Sequence, residues 1–160
     1  MNKFDFSEHG RVYLPIAIKP QDDNTMPTVH FKVDTGADTS TISKMDLMDL
    51  GYDLAWIRKN AVKLKDDEKL VTASGEKVDA GSVQLPLINI LGYEGKNWPF
   101  QIILDELQDF RNLLGRDLLT GFNYWFCNDE DVFTIERAKV FKPRYPFLPN
   151  QEIHEVVYIP

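Results

Sequence analysis

One cysteine, Cys127, stands in a chain of 160 residues. No intramolecular disulfide can form, so oxidative stapling plays no part in the fold. A lone cysteine of this kind reads as a small apolar side chain rather than a nucleophile. The three histidines, His9, His30 and His154, lack the spacing of metal ligands, which argues against a zinc site and against a catalytic triad. Positive charge is also scarce. Eighteen basic residues face 25 acidic ones, a net charge of −7, and that balance argues against nucleic acid or an anionic membrane as a partner. Long apolar runs are missing. "VQLPLINIL" and "WPFQIIL" are far too short to cross a bilayer. The first residues, "MNKFDFSEHG", contain no apolar h-region, so no secretory signal is expected and the simplest placement is cytoplasmic.

What remains is an ordinary globular composition, 43% hydrophobic, with a length that suits one domain and its own core. "RVYLPIAIKP" and "TVHFKVD" read as strands joined by the polar turn "QDDNTMP". Ser43, with Asp46 three residues later and Gly51 beyond, predicts a short helix over about Lys44 to Leu50. "DLAWIRKN" is ambiguous between a helical turn and a loop. "KLVTASGEKVDAGSVQLPLINIL" reads as strand, turn and long strand, with the turn at "ASGE". "NWPFQIIL" is a further strand, and "LLGRDLLTGF" holds one or two helical turns. "YWFCNDEDVFTIE" reads as a hairpin turning at Asn128 to Asp131. The sum is all-β, a small closed β structure with two short helices. The domain is expected over residues 1–141. From 142 to 160 four prolines lie among aromatics, which predicts an extended tail, either a strap on its own domain or an arm toward a partner or cleft.

The segment "FKVDTGADTSTIS", residues 31 to 43, runs an apolar strand into Asp34-Thr35-Gly36. Such a triplet occurs by chance in roughly a few per cent of chains this long, so alone it reads as a strand-ending turn. Chemistry suggests another use. Water attacks a peptide carbonyl without a metal when one carboxylate takes its proton and a second carboxylic acid polarises the carbonyl. Two adjacent carboxyls share one proton because both cannot ionise cheaply. Each must sit at a strand end on a tight, rigid turn, which Thr and Gly supply.

"VDTGADTSTIS" followed by "LLGRDLL" resembles the retropepsin family, the retroviral aspartic proteases and their cellular and bacterial relatives. The resemblance spans roughly Val12 to Arg137. It implies a retropepsin-like closed β-barrel with a flap hairpin, and Asp34 as the catalytic residue. Thr35, Gly36 and Ala37 would shape its loop. Leu113, Leu114 and Gly115 would thread beside that loop, and Arg116 would pair with Asp38. Ala73, Ser74, Gly75 and Glu76 would form the flap tip, although an ordinary hairpin is the alternative there. Phe110, Arg111 and Leu113 would line the pockets flanking the scissile bond, with Arg111 standing where apolar residues are usual.

The chain holds one Asp-Thr-Gly and no Asp-Ser-Gly. One copy therefore supplies half a site, and the resemblance implies a homodimer with Asp34 from each copy at the two-fold axis. No cofactor or metal is implied. The substrate would be an extended peptide or protein. A hydroxyl at position 37 would add a donor to the ionised aspartate; alanine cannot, so activity is expected to reach mildly acidic and near-neutral pH. Asp117 reads as a first-turn acid of a short helix rather than a second catalytic aspartate. The rival reading is a dimeric peptide-binding module on the same fold that cuts poorly or not at all; a monomer that never completes the pair is a third.

Overall fold

Period-two burial builds the sheets. In the strand Tyr13–Ile18 (β2), Leu14, Ile16 and Ile18 are fully buried while the intervening residues are not. Thr28–Val33 (β3) repeats the pattern with Phe31 and Val33 inward. Ala80–Ile90 (β7) and Tyr93–Ile103 (β8) are long enough to span the core, and they turn back on each other through Leu91 and Gly92. Both turn residues have positive φ, 50° and 88°, the combination that matches the twist of paired strands. Gly95 in β8 has no substitute. A Cβ there would come within 2.3 Å of the Trp98 ring, one of the largest buried side chains.

The computed structural model describes residues 1–64, 70–71, 74–105, 109–140 and 154–158. The remaining elements are Asn2–Asp5 (β1), Lys44–Asp49 (α1), Leu54–Asn60 (α2), Val62–Lys63 (β4), Leu70–Val71 (β5), Lys77–Val78 (β6), Leu113–Leu114 (β9), Arg116–Leu119 (α3), Phe122–Cys127 (β10), Val132–Arg137 (β11) and His154–Tyr158 (β12). A seven-stranded sheet runs β12-β8-β7-β2-β3-β9, with β4 also on β7. A second sheet runs β1-β11-β10, and β5 and β6 pair as a small hairpin. A single apolar cluster, including Phe31, Leu85, Trp98, Phe100, Leu118 and Phe133, joins the two larger sheets and α3. The chain is mostly β, as the alternation predicts. The pairings among the described residues are open sheets, with no closed barrel among them.

Three features differ from the sequence reading. The structure has three helices among the described residues, not two. The ambiguous "DLAWIRKN" forms α2, because the Asp53 carboxylate accepts from Trp56 N at 2.8 Å and Ile57 is buried. The N-terminal residues, to which the sequence reading assigned no element, form β1 on β11. The tail contributes β12, antiparallel to β8, as an edge strand opposite Tyr93 to Lys96; its residues 142–153 lie outside the described residues. Where a flap was expected, the β5–β6 strands and the Ser74-Gly75 turn are described as a small hairpin, with Gly75 at φ 84°, whereas Ala73 lies outside the described residues.

Candidate active site

Asp34 ends β3 and is half-buried. Its N–H donates to the Leu114 carbonyl at 3.0 Å, because β9 runs parallel beside β3 with Lys32 opposite Leu113 and Val33 opposite Leu114. The turn beyond closes on the aspartate itself. Gly36 N donates to Asp34 Oδ1 at 3.0 Å and Ala37 N to the Asp34 carbonyl at 3.2 Å. The far side of the loop is held by α3, whose Arg116 N donates to the Ala37 carbonyl at 2.8 Å and Asp117 N to that of Asp38 at 3.2 Å. The Asp34 backbone is thus fixed on both flanks and its carboxylate accepts from Gly36 N, while Thr35 and Gly36 face solvent. Arg116 pairs with Asp38. Both side chains are more than half exposed, so the pair contributes at most about 1 kcal/mol to stability.

A second carboxylate lies beneath the loop. Asp117 is buried, and it accepts from Ser40 Oγ at 2.7 Å, Ser40 N at 3.0 Å and Leu118 N at 2.8 Å. Ser40 Oγ in turn accepts from Gly115 N at 2.9 Å. The sequence reading of Asp117 as a first-turn acid of α3 misses this role: its side chain ties α3 to the segment after the Asp-Thr-Gly loop. Burial raises its pKa from 3.8 to about 6, against the opposing pull of Ser40 and backbone donors. A pKa higher in the folded state means that the folded protein holds this proton more tightly. The resulting stabilisation is complete below pH about 3.8 and is lost as pH rises through about 6. Denaturant unfolding of wild type and Asp117→Asn between pH 4 and 8 checks it. The wild-type-minus-variant stability should fall by about 3 kcal/mol across that range, and a flat difference would refute the buried-acid assignment.

Leu113 and Phe110 are half-buried and Arg111 is exposed, all on the segment entering β9. Thr41 exchanges backbone bonds with Leu113 and its hydroxyl donates to the Arg111 carbonyl at 2.9 Å. Ser74, Gly75 and Glu76 are exposed at the turn of the β5–β6 hairpin. Thr39, buried, donates to Gln101 Oε1 at 2.6 Å. Sequence reasoning missed Ser40, Thr41, Asp109, Asn112 and Gln101 as supports of the site. Each acts on a residue 60 or more positions away, and no local pattern marks such a pair.

A strand-ended Asp-Thr-Gly loop is laced to a Leu-Leu-Gly strand and a short helix, an arrangement that suits an aspartic-protease-type site. Comparison with known proteins agrees. Residues 24–121 match the family described as "gag-polyprotein putative aspartyl protease". A crystal structure of a retropepsin-like aspartic protease from Rickettsia conorii is similar at 28% identity, with a TM-score of 0.56 over 82% of this chain and 86% of that one. No curated protein shows significant similarity to the chain. The chain belongs to the retropepsin-like aspartic protease family.

Proposed function

We propose that the protein is an aspartic endopeptidase that works as a homodimer in the cytoplasm. The Asp34 carboxylates of two copies meet at a two-fold axis and share one proton. One takes a proton from the attacking water and the other protonates the scissile carbonyl oxygen. The observation that carries this reading is the backbone lacing of Asp34 between Leu114 and the Gly36–Ala37 turn. It leaves the carboxylate half-buried with Thr35 outward, where the second loop of a symmetric pair would meet it. The substrate lies extended, bonded to main-chain groups around Gly36 to Asp38 and covered by the β5–β6 hairpin, as a strand adds to a sheet. Leu113 gives the pocket beside the scissile bond an apolar wall.

Because each copy holds half the site, specific activity must depend on protein concentration. Cleavage of a peptide library, read by mass spectrometry at mildly acidic to neutral pH, should fall steeply on dilution below the dimer dissociation constant. Sedimentation should show the dimer dissociating over the same concentrations. Activity that stays constant while the mass falls to that of a monomer would overturn the dimeric mechanism. A folded dimer that cuts nothing would leave the binding-module reading.

A further inference from the structure

The segment before β9 is bolted to the N-terminus of α1. The Asp109 carboxylate accepts from Lys44 N at 2.9 Å, Met45 N at 3.3 Å and Phe110 N at 2.9 Å. Asn112 Oδ1 accepts from Ser43 N at 2.8 Å, and its amide group donates to Asp46 Oδ2 and to the His30 carbonyl. The Asn112 carbonyl accepts from Lys32 N at 2.9 Å, and the Arg111 carbonyl from the Thr41 hydroxyl. Arg111 therefore stands on a backbone held from both sides. Its own side chain is exposed, and no described carboxylate pairs with it. The nearby Arg116 is already neutralised by Asp38. Leu114, whose carbonyl holds Asp34, is three residues on, so the Arg111 backbone lies within about 10 Å of it along an extended chain.

We infer that Arg111 selects peptides carrying aspartate or glutamate beside the scissile bond, with Asp109 and Asn112 as its positioning residues. The inference rests on the endopeptidase reading and names its substrate class. Two-fold symmetry supplies an Arg111 on each side of the bond, so an acidic residue is favoured on either flank. The net charge of −7 opposes an acidic peptide at long range. Salt screens that repulsion beyond about 8 Å and leaves the local contact to decide. A fixed backbone matters because a long side chain on a mobile loop would lose its pairing energy to ordering.

The test uses two peptides that differ only by Glu or Gln beside the scissile bond. Their affinities are measured by fluorescence anisotropy on the Asp34→Asn protein, and their cleavage by wild type. The Glu peptide should bind about two- to fivefold more tightly, the range of an exposed ion pair, and show the gain in KM rather than kcat. Arg111→Gln should erase the preference, Arg111→Lys should keep part of it, and Arg111→Glu should reverse it. Asp109→Asn and Asn112→Ala should narrow it, as should 1 M salt. An undiminished preference in Arg111→Gln, or equal binding of both peptides, overturns the inference while leaving the endopeptidase reading intact. Failure of both peptides to bind or be cut overturns the two together.

Discussion

In the proposed homodimer, replacing Asp34 by asparagine should lower kcat by at least about 10³-fold while leaving the fold and the dimer in place. A homodimer carries the change twice, so the base and the acid are lost together, and positioned acid–base groups each contribute about 10²- to 10⁴-fold. The structure gives a reason to expect intact folding. Asparagine keeps the Oδ1 acceptor that Gly36 N uses, and the Asp34 N–H to Leu114 bond is backbone. Association should not weaken either, because two neutral amides at the two-fold axis replace two carboxyls that resist ionising together. The measurement is kcat/KM on a cleaved library peptide, with sedimentation and thermal melts as controls. Equal cutting by wild type and variant would assign the activity to a contaminant. A variant that is inactive because it is monomeric or unfolded would leave the chemistry of Asp34 unproved.

Gly115→Ala should be nearly as damaging, for a steric reason. Its φ of −91° is open to any residue, so backbone freedom is not the issue. A Cβ there would lie 2.6 Å from both the carbonyl carbon and oxygen of Thr39, and 3.0 Å from the Ala37 oxygen. All three are backbone atoms, and the same segment is held by Ser40, Asp117 and Arg116. The chain cannot rotate away as a flexible side chain would. Overpacking of this kind costs about 1–3 kcal/mol, and displacing the Asp34 loop by about 1 Å is enough for a 10²-fold loss of rate. Gly10→Ala is the matched comparison. Gly10 has φ 66° and no neighbour within 4 Å of a built Cβ, so it pays in backbone strain of about 1–2 kcal/mol and not at the site. Both variants should melt earlier, and only Gly115→Ala should lose activity beyond what its stability explains. Parallel losses in the two would mean that Gly115 matters only for folding.

Much of the β architecture could be read from local pattern. Leu14, Ile16 and Ile18 alternate with less buried neighbours, and Ser43 with Asp46 announces α1. The elements that escaped are those whose stability comes from a distant partner. Asn2–Asp5 holds a single apolar residue, Phe4, and is completed as a strand by Val132–Ile135 opposite it. His154–Tyr158 is a strand because β8 offers an edge. Leu54–Asn60 was short enough that its cap and one buried isoleucine tip the balance toward helix.

The candidate site divides along the same line. Its candidate residues were legible in order along the chain: one aspartate at a strand end, Thr-Gly beside it, and a Leu-Leu-Gly-Arg downstream. A single such triplet is enough to require a second copy for a two-carboxylate mechanism, because one chain cannot supply both groups. Tertiary structure alone decided how that aspartate is held. Ser40 and Asp117 are 77 positions apart, Lys44 and Asp109 are 65 apart, and neither pair leaves a trace in periodicity or composition. Hydrophobic pattern acts through neighbours a few residues away and so specifies strands and helices. Long-range hydrogen bonds act between whatever the closed fold brings together, so the supports of the site exist only once the chain has closed.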